Sequence, residues 1–137
     1  MGTLRTWLVV SMLAAQPVWL AAEPIVTAEE FARRVSGRTV HFTWNGEYFG
    51  SEQYYRSGRA LWRFASGLCQ EGFWEFDGGH VCFSYVGDPE RMCWRTGVEN
   101  GRIYATQVEA SGEDGITLTE SHSDDSDLPC PGPLVGS

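Results

Sequence analysis

The sequence predicts a mainly β protein: an antiparallel meander that forms a small barrel or a curled sandwich, with one short N-terminal helix and an irregular acidic C-terminal tail. Short segments of alternating polar and apolar residues recur about every ten residues. Turn sequences such as Asn45-Gly46, Gly78-Gly79 and Asn100-Gly101 separate them. A chain of 137 residues, 42% of them hydrophobic, fits one folded domain and is unlike a disordered segment.

Residues 1–22 have the layout of a secretory signal peptide. Arg5 supplies a basic start, an apolar run extends over Trp7–Ala22, and small residues precede Glu23. The run is shorter than the roughly 20 residues of a membrane-spanning helix, and Pro17 interrupts it; an uncleaved anchor is the alternative. We expect cleavage before Glu23, a periplasmic or secreted protein, and no contact with the membrane after cleavage.

A single helix is expected over residues 28–36. Thr27 and Glu30 have the spacing of a capping box, in which each side chain satisfies a backbone amide at the start of the helix. Phe31 and Val35 lie four residues apart and therefore share one face, which should pack on the rest of the domain. A Ser-Gly pair then ends the helix.

From residue 39 onward the periodicity is that of β-strands. Val40, Phe42 and Trp44 alternate with polar residues, as in a half-buried strand. Further strands are expected near residues 52–56, 59–64, 73–77, 80–86, 91–96, 102–109 and 115–119. The two central hairpins place one set of side chains on a common face, assigned to the core: Trp74, Phe76, Val81, Phe83, Tyr85, Met92 and Trp94. The β domain should span residues 23–119, and residues 120–137 should form a flexible, solvated tail that Cys130 can pin.

Four cysteines predict two disulfide bonds. Cys69, Cys82, Cys93 and Cys130 are an even number in a short exported chain, and they lack the close pairs of a zinc site. If the loop at 87–90 is longer than a tight turn, Cys93 lies opposite Cys82. This pairing is preferred, and it leaves Cys69 to hold the tail through Cys130. Because a one-residue slip reverses every side chain of a strand, Cys69–Cys82 and Cys69–Cys93 stay open as alternatives.

The charge of the chain excludes one class of partner. Ten basic residues, all of them Arg, against 18 acidic ones give a net charge of −8, so the clustered positive charge that binds nucleic acid is missing. Four arginines are candidate contacts for a small anion or a partner's carboxylate: Arg56, Arg59, Arg91 and Arg95. Ion pairs with glutamates of neighbouring strands are the alternative.

The three histidines carry no recognisable catalytic or metal motif. His80 faces Asp77 across a hairpin turn, but no nucleophile motif accompanies this pair, so a turn contact is expected. His41 should point outward from a strand. His122 and Asp124 lie in the acidic tail, without the glycine and the distant glutamate of a calcium-binding loop.

Four glutamates are close enough in sequence to invite comparison with the paired carboxylates of glycoside hydrolases: Glu47, Glu52, Glu71 and Glu75. Strand edges and surfaces are the ordinary place for Glu, so all four are expected to be exposed. We therefore expect no enzymatic activity, no cofactor and no metal.

A pattern of cysteines and tryptophans runs through the central strands: Cys69-Gln-Glu-Gly-Phe-Trp74, Val81-Cys-Phe-Ser-Tyr85 and Cys93-Trp94, preceded by Tyr48-Phe-Gly-Ser-Glu52. In this pattern the chain resembles a group of small exported proteins of Gram-negative bacteria that have no established function. The resemblance implies an envelope location and a compact β fold. It implies no catalytic residue and no ligand.

The expected function is that of a non-catalytic accessory or interaction protein of the cell envelope, whose partner is an unidentified envelope protein or small molecule. A barrel-type carrier of a small apolar ligand is one alternative, and it requires an interior cavity of about 300 Å³ or more. An inhibitor of an envelope hydrolase is the other; it requires an exposed loop, expected around Gly87–Arg91.

Overall fold

A computed structural model describes residues 1–2, 14–18 and 21–130 of the chain. The predicted signal peptide therefore falls largely outside the described residues, as does the end of the predicted tail from residue 131 onward. Among the residues that the structure describes, no helix is long and apolar enough to cross a membrane.

The described part of the chain contains one helix and nine strands. They are β1 (Glu23–Pro24), α1 (Ala28–Val35), β2 (Thr39–Trp44), β3 (Glu47–Tyr54), β4 (Arg59–Phe64), β5 (Cys69–Asp77), β6 (His80–Tyr85), β7 (Met92–Glu99), β8 (Arg102–Val108) and β9 (Asp114–Asp124). From β2 to β9 each strand pairs with the next in antiparallel fashion, and β9 pairs back with β2. The prediction of a mainly β meander is confirmed, and of the two architectures considered the molecule adopts the closed, eight-stranded barrel.

The predicted register of the first central hairpin is confirmed, and the second adopts the longer-loop alternative and not the tight turn that would place Trp94 opposite Phe83. Trp74 lies opposite Phe83, as the two-residue Gly78-Gly79 turn requires. The loop over residues 86–91 is longer than a tight turn, so Cys82 lies opposite Cys93 and the two form a disulfide. The second disulfide joins Cys69 to Cys130, which confirms the preferred pairing.

Helix α1 closes one end of the barrel. The Thr27 Oγ1 atom accepts a hydrogen bond from the Glu30 N–H (3.2 Å), as expected for an N-cap. Phe31 and Val35 are fully buried, and the Phe31 ring lies edge-on to Trp74, with 5.1 Å between ring centroids. Because α1 leads directly into β2, it covers the end at which β2 begins.

The prediction of a solvated tail from residue 120 is wrong for the described part of that segment. Strand β9 continues to Asp124, and its second half, residues 119–124, pairs with β2. Residues 125–130, which we call the C-terminal strap, then cross the outer face of the barrel to the Cys69–Cys130 bond. Hydrogen bonds hold the strap: the Thr39 hydroxyl donates to the Ser126 carbonyl (2.6 Å), and Gln53 Nε2 donates to Asp127 Oδ1 (2.6 Å). Residues 121–127, which include no apolar side chain, are thus ordered by polar contacts on a wall that other strands supply.

Candidate functional site

The interior of the barrel contains a cavity of about 200 Å³. Its walls are the inward-facing side chains of the strands, mostly aromatic and aliphatic, among them Phe42, Trp62, Phe83, Trp94, Ile103 and Leu118. Two of the core tryptophans, Trp62 and Trp94, line this cavity and leave it unfilled.

The cavity reaches the surface at the end opposite α1. In an antiparallel meander, the β2–β3, β4–β5, β6–β7 and β8–β9 connections all lie at one end. Three residues that line the cavity lie beside these connections: Phe64, which is exposed, and Met92 and Ile116, which are partly buried. The helix blocks the other end, because Phe31 forms the floor there. A ligand would therefore enter past Phe64 and leave by the same route.

One carboxyl group lies in this apolar interior. Glu52 of β3 lines the cavity and is 2% exposed, so the prediction that it lies on the surface is wrong. Its Oε2 atom accepts a hydrogen bond from the Tyr85 hydroxyl (2.8 Å). Neither Glu52 Oε1 nor the Oγ1 atom of Thr96, which also lines the cavity, has a hydrogen-bond partner among the described residues. Two residues of the cavity wall thus each carry a buried polar atom without a hydrogen-bond partner among the described residues.

A β-bulge turns Glu52 inward. Gly50 pairs with Phe42, but Tyr48 pairs with Thr43, so Phe49 is an extra residue in β3. Counting by two from the apolar Phe49 would place Glu52 outside. Beyond the bulge the alternation reverses, and Glu52 shares the inner face. The alternation counted backward from the buried Tyr54 was the one signal in the sequence that indicated this orientation.

Burial controls the ionisation of this group. It raises the pKa of the Glu52 carboxyl well above its ordinary value, and the hydrogen bond from Tyr85 opposes that shift only in part. The pKa of the Tyr85 hydroxyl is also raised, by burial and by the neighbouring Glu52. The uncharged acid is therefore the form that the cavity favours. Since Oε2 already accepts from Tyr85, the acidic hydrogen belongs on Oε1, which can then donate one hydrogen bond.

A second polar cluster occupies the outer face of the same strands. The His41 Nδ1 atom lies 2.7 Å from Ser51 Oγ, and its Nε2 atom lies 3.1 Å from Asp124 Oδ2. Tyr48 extends the chain of contacts, with its hydroxyl 2.8 Å from Ser51 Oγ. The residue types match those of a hydrolase triad, but Ser51 is 0% exposed and its oxygen already contacts two side chains, so it is not placed to attack a substrate.

Three of the four candidate arginines contact carboxylates of the chain. Arg59 pairs with Glu71, and Arg95 pairs with Asp114 at 2.7 Å. Arg91 bridges Glu75 and Asp77 (2.8 and 3.1 Å). These contacts correspond to the ion-pair alternative. Since Glu71 is buried beneath its pair with Arg59, the prediction of an exposed side chain is wrong there too.

The remaining sequence candidates do not converge on the cavity. Arg56 lies beside Gly37, near the start of β2. His80 and Asp77 are register partners at the hairpin turn, and the Asp77 carboxylate accepts hydrogen bonds from Arg91. The carboxylate of this pair is thus engaged by an arginine on the surface.

In comparisons with known proteins, no family model, no curated protein and no solved structure matches the chain.

Proposed function

We propose that this protein is a non-catalytic carrier that holds one small, mostly apolar, uncharged molecule inside the barrel. The observation that carries the proposal is the apolar cavity lined by the buried carboxyl group of Glu52, one oxygen of which has no hydrogen-bond partner among the described residues. Apolar walls favour a hydrophobic ligand body, and a few placed polar groups orient it.

The size of the cavity limits the ligand. The volume of about 200 Å³ does not reach the roughly 300 Å³ expected of a carrier from the sequence, so the proposed ligand is smaller than a drug-sized molecule. A cavity of about 150 Å³ accommodates benzene. The ligand class is therefore a single ring, or an aliphatic molecule of similar size, with one short polar substituent.

The charge of the ligand follows from the state of Glu52. An uncharged carboxyl offers an O–H donor to a hydroxyl or carbonyl oxygen. A carboxylate ligand would bring a net charge into a buried apolar site that disfavours charge. An alcohol, aldehyde or ketone fits this site better than an anion.

The compartment that fits this role is the periplasm or the exterior of the cell. Two disulfide bonds are typical of an oxidising compartment. Export through the predicted signal peptide would deliver the protein there. The inhibitor alternative stays a prediction; residues 87–91 form an exposed loop of the kind it requires.

A matched series of one-ring probes tests the proposal: toluene, benzyl alcohol, benzylamine and benzoate. We expect benzyl alcohol to bind about fivefold more tightly than toluene, the effect of one hydrogen bond of about 1 kcal/mol, and benzoate to bind weakest. Trp62 and Trp94 line the cavity, so their fluorescence reports occupancy alongside calorimetry on the untagged protein.

Two variants of Glu52 separate the polar contact from the apolar walls. Glu52→Gln keeps a donor and should keep the preference for benzyl alcohol, whereas Glu52→Leu should bind toluene at least as well as the alcohol. Ala105→Phe places a ring into the cavity and should abolish binding. Failure of all four probes to bind would end the carrier proposal. A preference for benzylamine would instead mean that Glu52 is ionised and that the ligand class is wrong.

A further inference from the structure

Strands β2 and β9 bring two histidines together on the outer wall of the barrel. His41 and His122 are direct register partners, and their rings stack with 4.2 Å between centroids. They are 81 positions apart in the chain and no local motif links them. Asp124 follows His122 by two residues, so it shares the same outer face.

A second β-bulge places the His122 ring beside the His41 ring. His41 pairs with His122, but Phe42 pairs with Glu120, so Ser121 is an extra residue in β9. Without it, His122 would continue the inward row of Leu118 and Glu120. The bulge turns the imidazole outward and leaves it beside the one on β2.

The three side chains converge through their outermost atoms. The Nε2 atom of His41 lies 3.1 Å from Asp124 Oδ2, and the Nε2 atom of His122 lies 3.9 Å from the same oxygen. One ligand atom from each residue lies within 4.8 Å of the other two. Tetrahedral ligands about 2.0–2.1 Å from a shared ion lie about 3.4 Å apart, so the ligand atoms must approach one another by at most about 1.4 Å, which a rotation of the exposed His122 ring can supply.

Serine hydroxyls hold the opposite nitrogen of each ring. His41 Nδ1 contacts Ser51 Oγ (2.7 Å), and His122 Nδ1 contacts Ser121 Oγ (3.1 Å). The Ser121 hydroxyl donates to the His41 carbonyl, so its oxygen accepts from the His122 Nδ1–H. This fixes the tautomer of His122 with the Nε2 lone pair toward Asp124. Metal-binding histidines are oriented by the same kind of second contact.

The carboxylate is also held in place. The Oδ1 atom of Asp124 accepts the Ser126 N–H (2.9 Å), which leaves Oδ2 directed at the two rings. The His122 side chain is 63% exposed, so an ion has access and the ring can turn to meet it, while His41 stays anchored between Ser51 and Asp124.

We propose that His41, His122 and Asp124 form a binding site for a divalent transition-metal ion, with Zn²⁺ or Cu²⁺ as the class of ion and at least one coordination position open to solvent. Two imidazoles and one carboxylate suit these ions and do not suit Ca²⁺ or Mg²⁺, which prefer oxygen ligands. A bound ion would join β2 to the end of β9, where the strap begins. The site is separate from the cavity, because it lies on the other side of the barrel wall.

The test is a titration of the untagged protein with Zn²⁺ alone, followed by calorimetry and by ¹⁵N NMR of the histidine rings. We expect one ion per chain, with the Nε2 resonances of His41 and His122 shifting while those of His80 stay in place. His122→Ala and Asp124→Asn should each weaken binding about 100-fold or more, since even outer partners of a metal ligand are worth about 10–100-fold. Mg²⁺ should cause no shift.

His80→Ala is the matched control, because it removes the third histidine from a hairpin turn at a distance from the cluster. It should bind Zn²⁺ as the wild-type protein does. The proposal is overturned if the wild-type protein does not bind Zn²⁺ at millimolar concentration, or if His122→Ala binds as tightly as the wild type. Circular dichroism of each variant shows that the fold is retained. The result of the Zn²⁺ titration, whether positive or negative, leaves the carrier proposal untouched, because that proposal is tested with one-ring probes and variants of Glu52.

Discussion

Glu52 on the inner face of the barrel wall and Asp124 on the outer face are two carboxyl groups whose environments act in opposite directions. Inside, burial raises the pKa of Glu52 well above its ordinary value. Outside, the pKa of Asp124 is lowered, first by the hydrogen bond from the Ser126 backbone and also by that from His41. The first environment favours a neutral acid that can donate to a ligand, and the second favours an anion that can bind a cation.

Both environments depend on a β-bulge in the strands that flank β2. The extra residue Phe49 turns Glu52 inward, and the extra residue Ser121 turns His122 outward. Without the bulge at Phe49, Glu52 would lie on the outer face of the barrel. Without the bulge at Ser121, His122 would point inward, away from His41. A β-bulge changes the direction of the following side chains while the barrel stays closed. Here two bulges place Glu52 on the inner face and His122 on the outer face of the same wall.

The largest expected effect contrasts two phenylalanines on the two faces. Phe83 packs inside the barrel and is 6% exposed, whereas Phe73 points outward and is 55% exposed. Phe83→Ala should lower the free energy of unfolding by about 3–5 kcal/mol, because it enlarges the cavity and removes contacts to Tyr54 and Tyr85. Phe73→Ala should change it by less than about 0.5 kcal/mol. Urea unfolding measures both, and equal losses would mean that the inner face is not the core.

The next effect compares the two disulfides. Cys69–Cys130 closes a separation of 61 residues and holds the strap to the outer wall, whereas Cys82–Cys93 spans 11 and joins neighbouring strands. A disulfide contributes roughly 2–4 kcal/mol, and the entropy of the longer loop makes the first bond worth about 1.5 kcal/mol more than the second.

Paired alanine variants, one for each disulfide, measure this difference in the free energy of unfolding. The Cys69→Ala/Cys130→Ala protein should be the less stable of the two by urea titration, and it should still bind benzyl alcohol, because the cavity lies behind the wall. The reverse order would show that the strap adds little constraint to the unfolded chain.

The predictability of the fold differs between the two halves of the barrel for a physical reason. A two-residue Gly78-Gly79 turn fixes register by itself, so the opposition of Trp74 and Phe83 followed from local residues. The opposition of Cys82 and Cys93 depended on the length of the next loop, which the local residues left open. Strand β9 has no such anchor. Its end is polar, and it is ordered by pairing with β2, which is distant in sequence.

The two candidate sites were hidden for the same reason. Glu52 resembles a surface residue until the bulge at Phe49 is known, and His122 resembles part of a solvated tail until β9 is paired with His41. Both facts are long-range: they depend on which strand lies alongside, and a one-residue change in register reverses every side chain. The alternation of polar and apolar residues within one strand does not show where an extra residue has been inserted.

The response of stability to pH separates the two faces most directly. In the unfolded chain the Glu52 carboxyl ionises as the pH rises above its ordinary pKa of 4.5. In the folded protein the pKa of this carboxyl is raised, so it keeps its proton to a higher pH. The folded state then binds more protons than the unfolded state, so the contribution of Glu52 to stability falls as the pH rises, by at most about 1.4 kcal/mol per unit. Glu52→Gln lacks this slope, and its stability relative to the wild type should increase between pH 5 and pH 7.

Asp124 should give the opposite sign. Its pKa is lowered in the folded protein, so its contribution is present above the ordinary value of 3.8 and is lost as the pH falls through the folded pKa. Asp124→Asn should therefore lose less stability on acidification than the wild type does, while its slope between pH 5 and pH 7 should match the wild type. Urea unfolding of both variants at pH 3, 5 and 7 measures the two slopes. Parallel curves for the wild type and Glu52→Gln would show that Glu52 ionises in the folded barrel, and the neutral hydrogen-bond donor assigned to the cavity would then be lost.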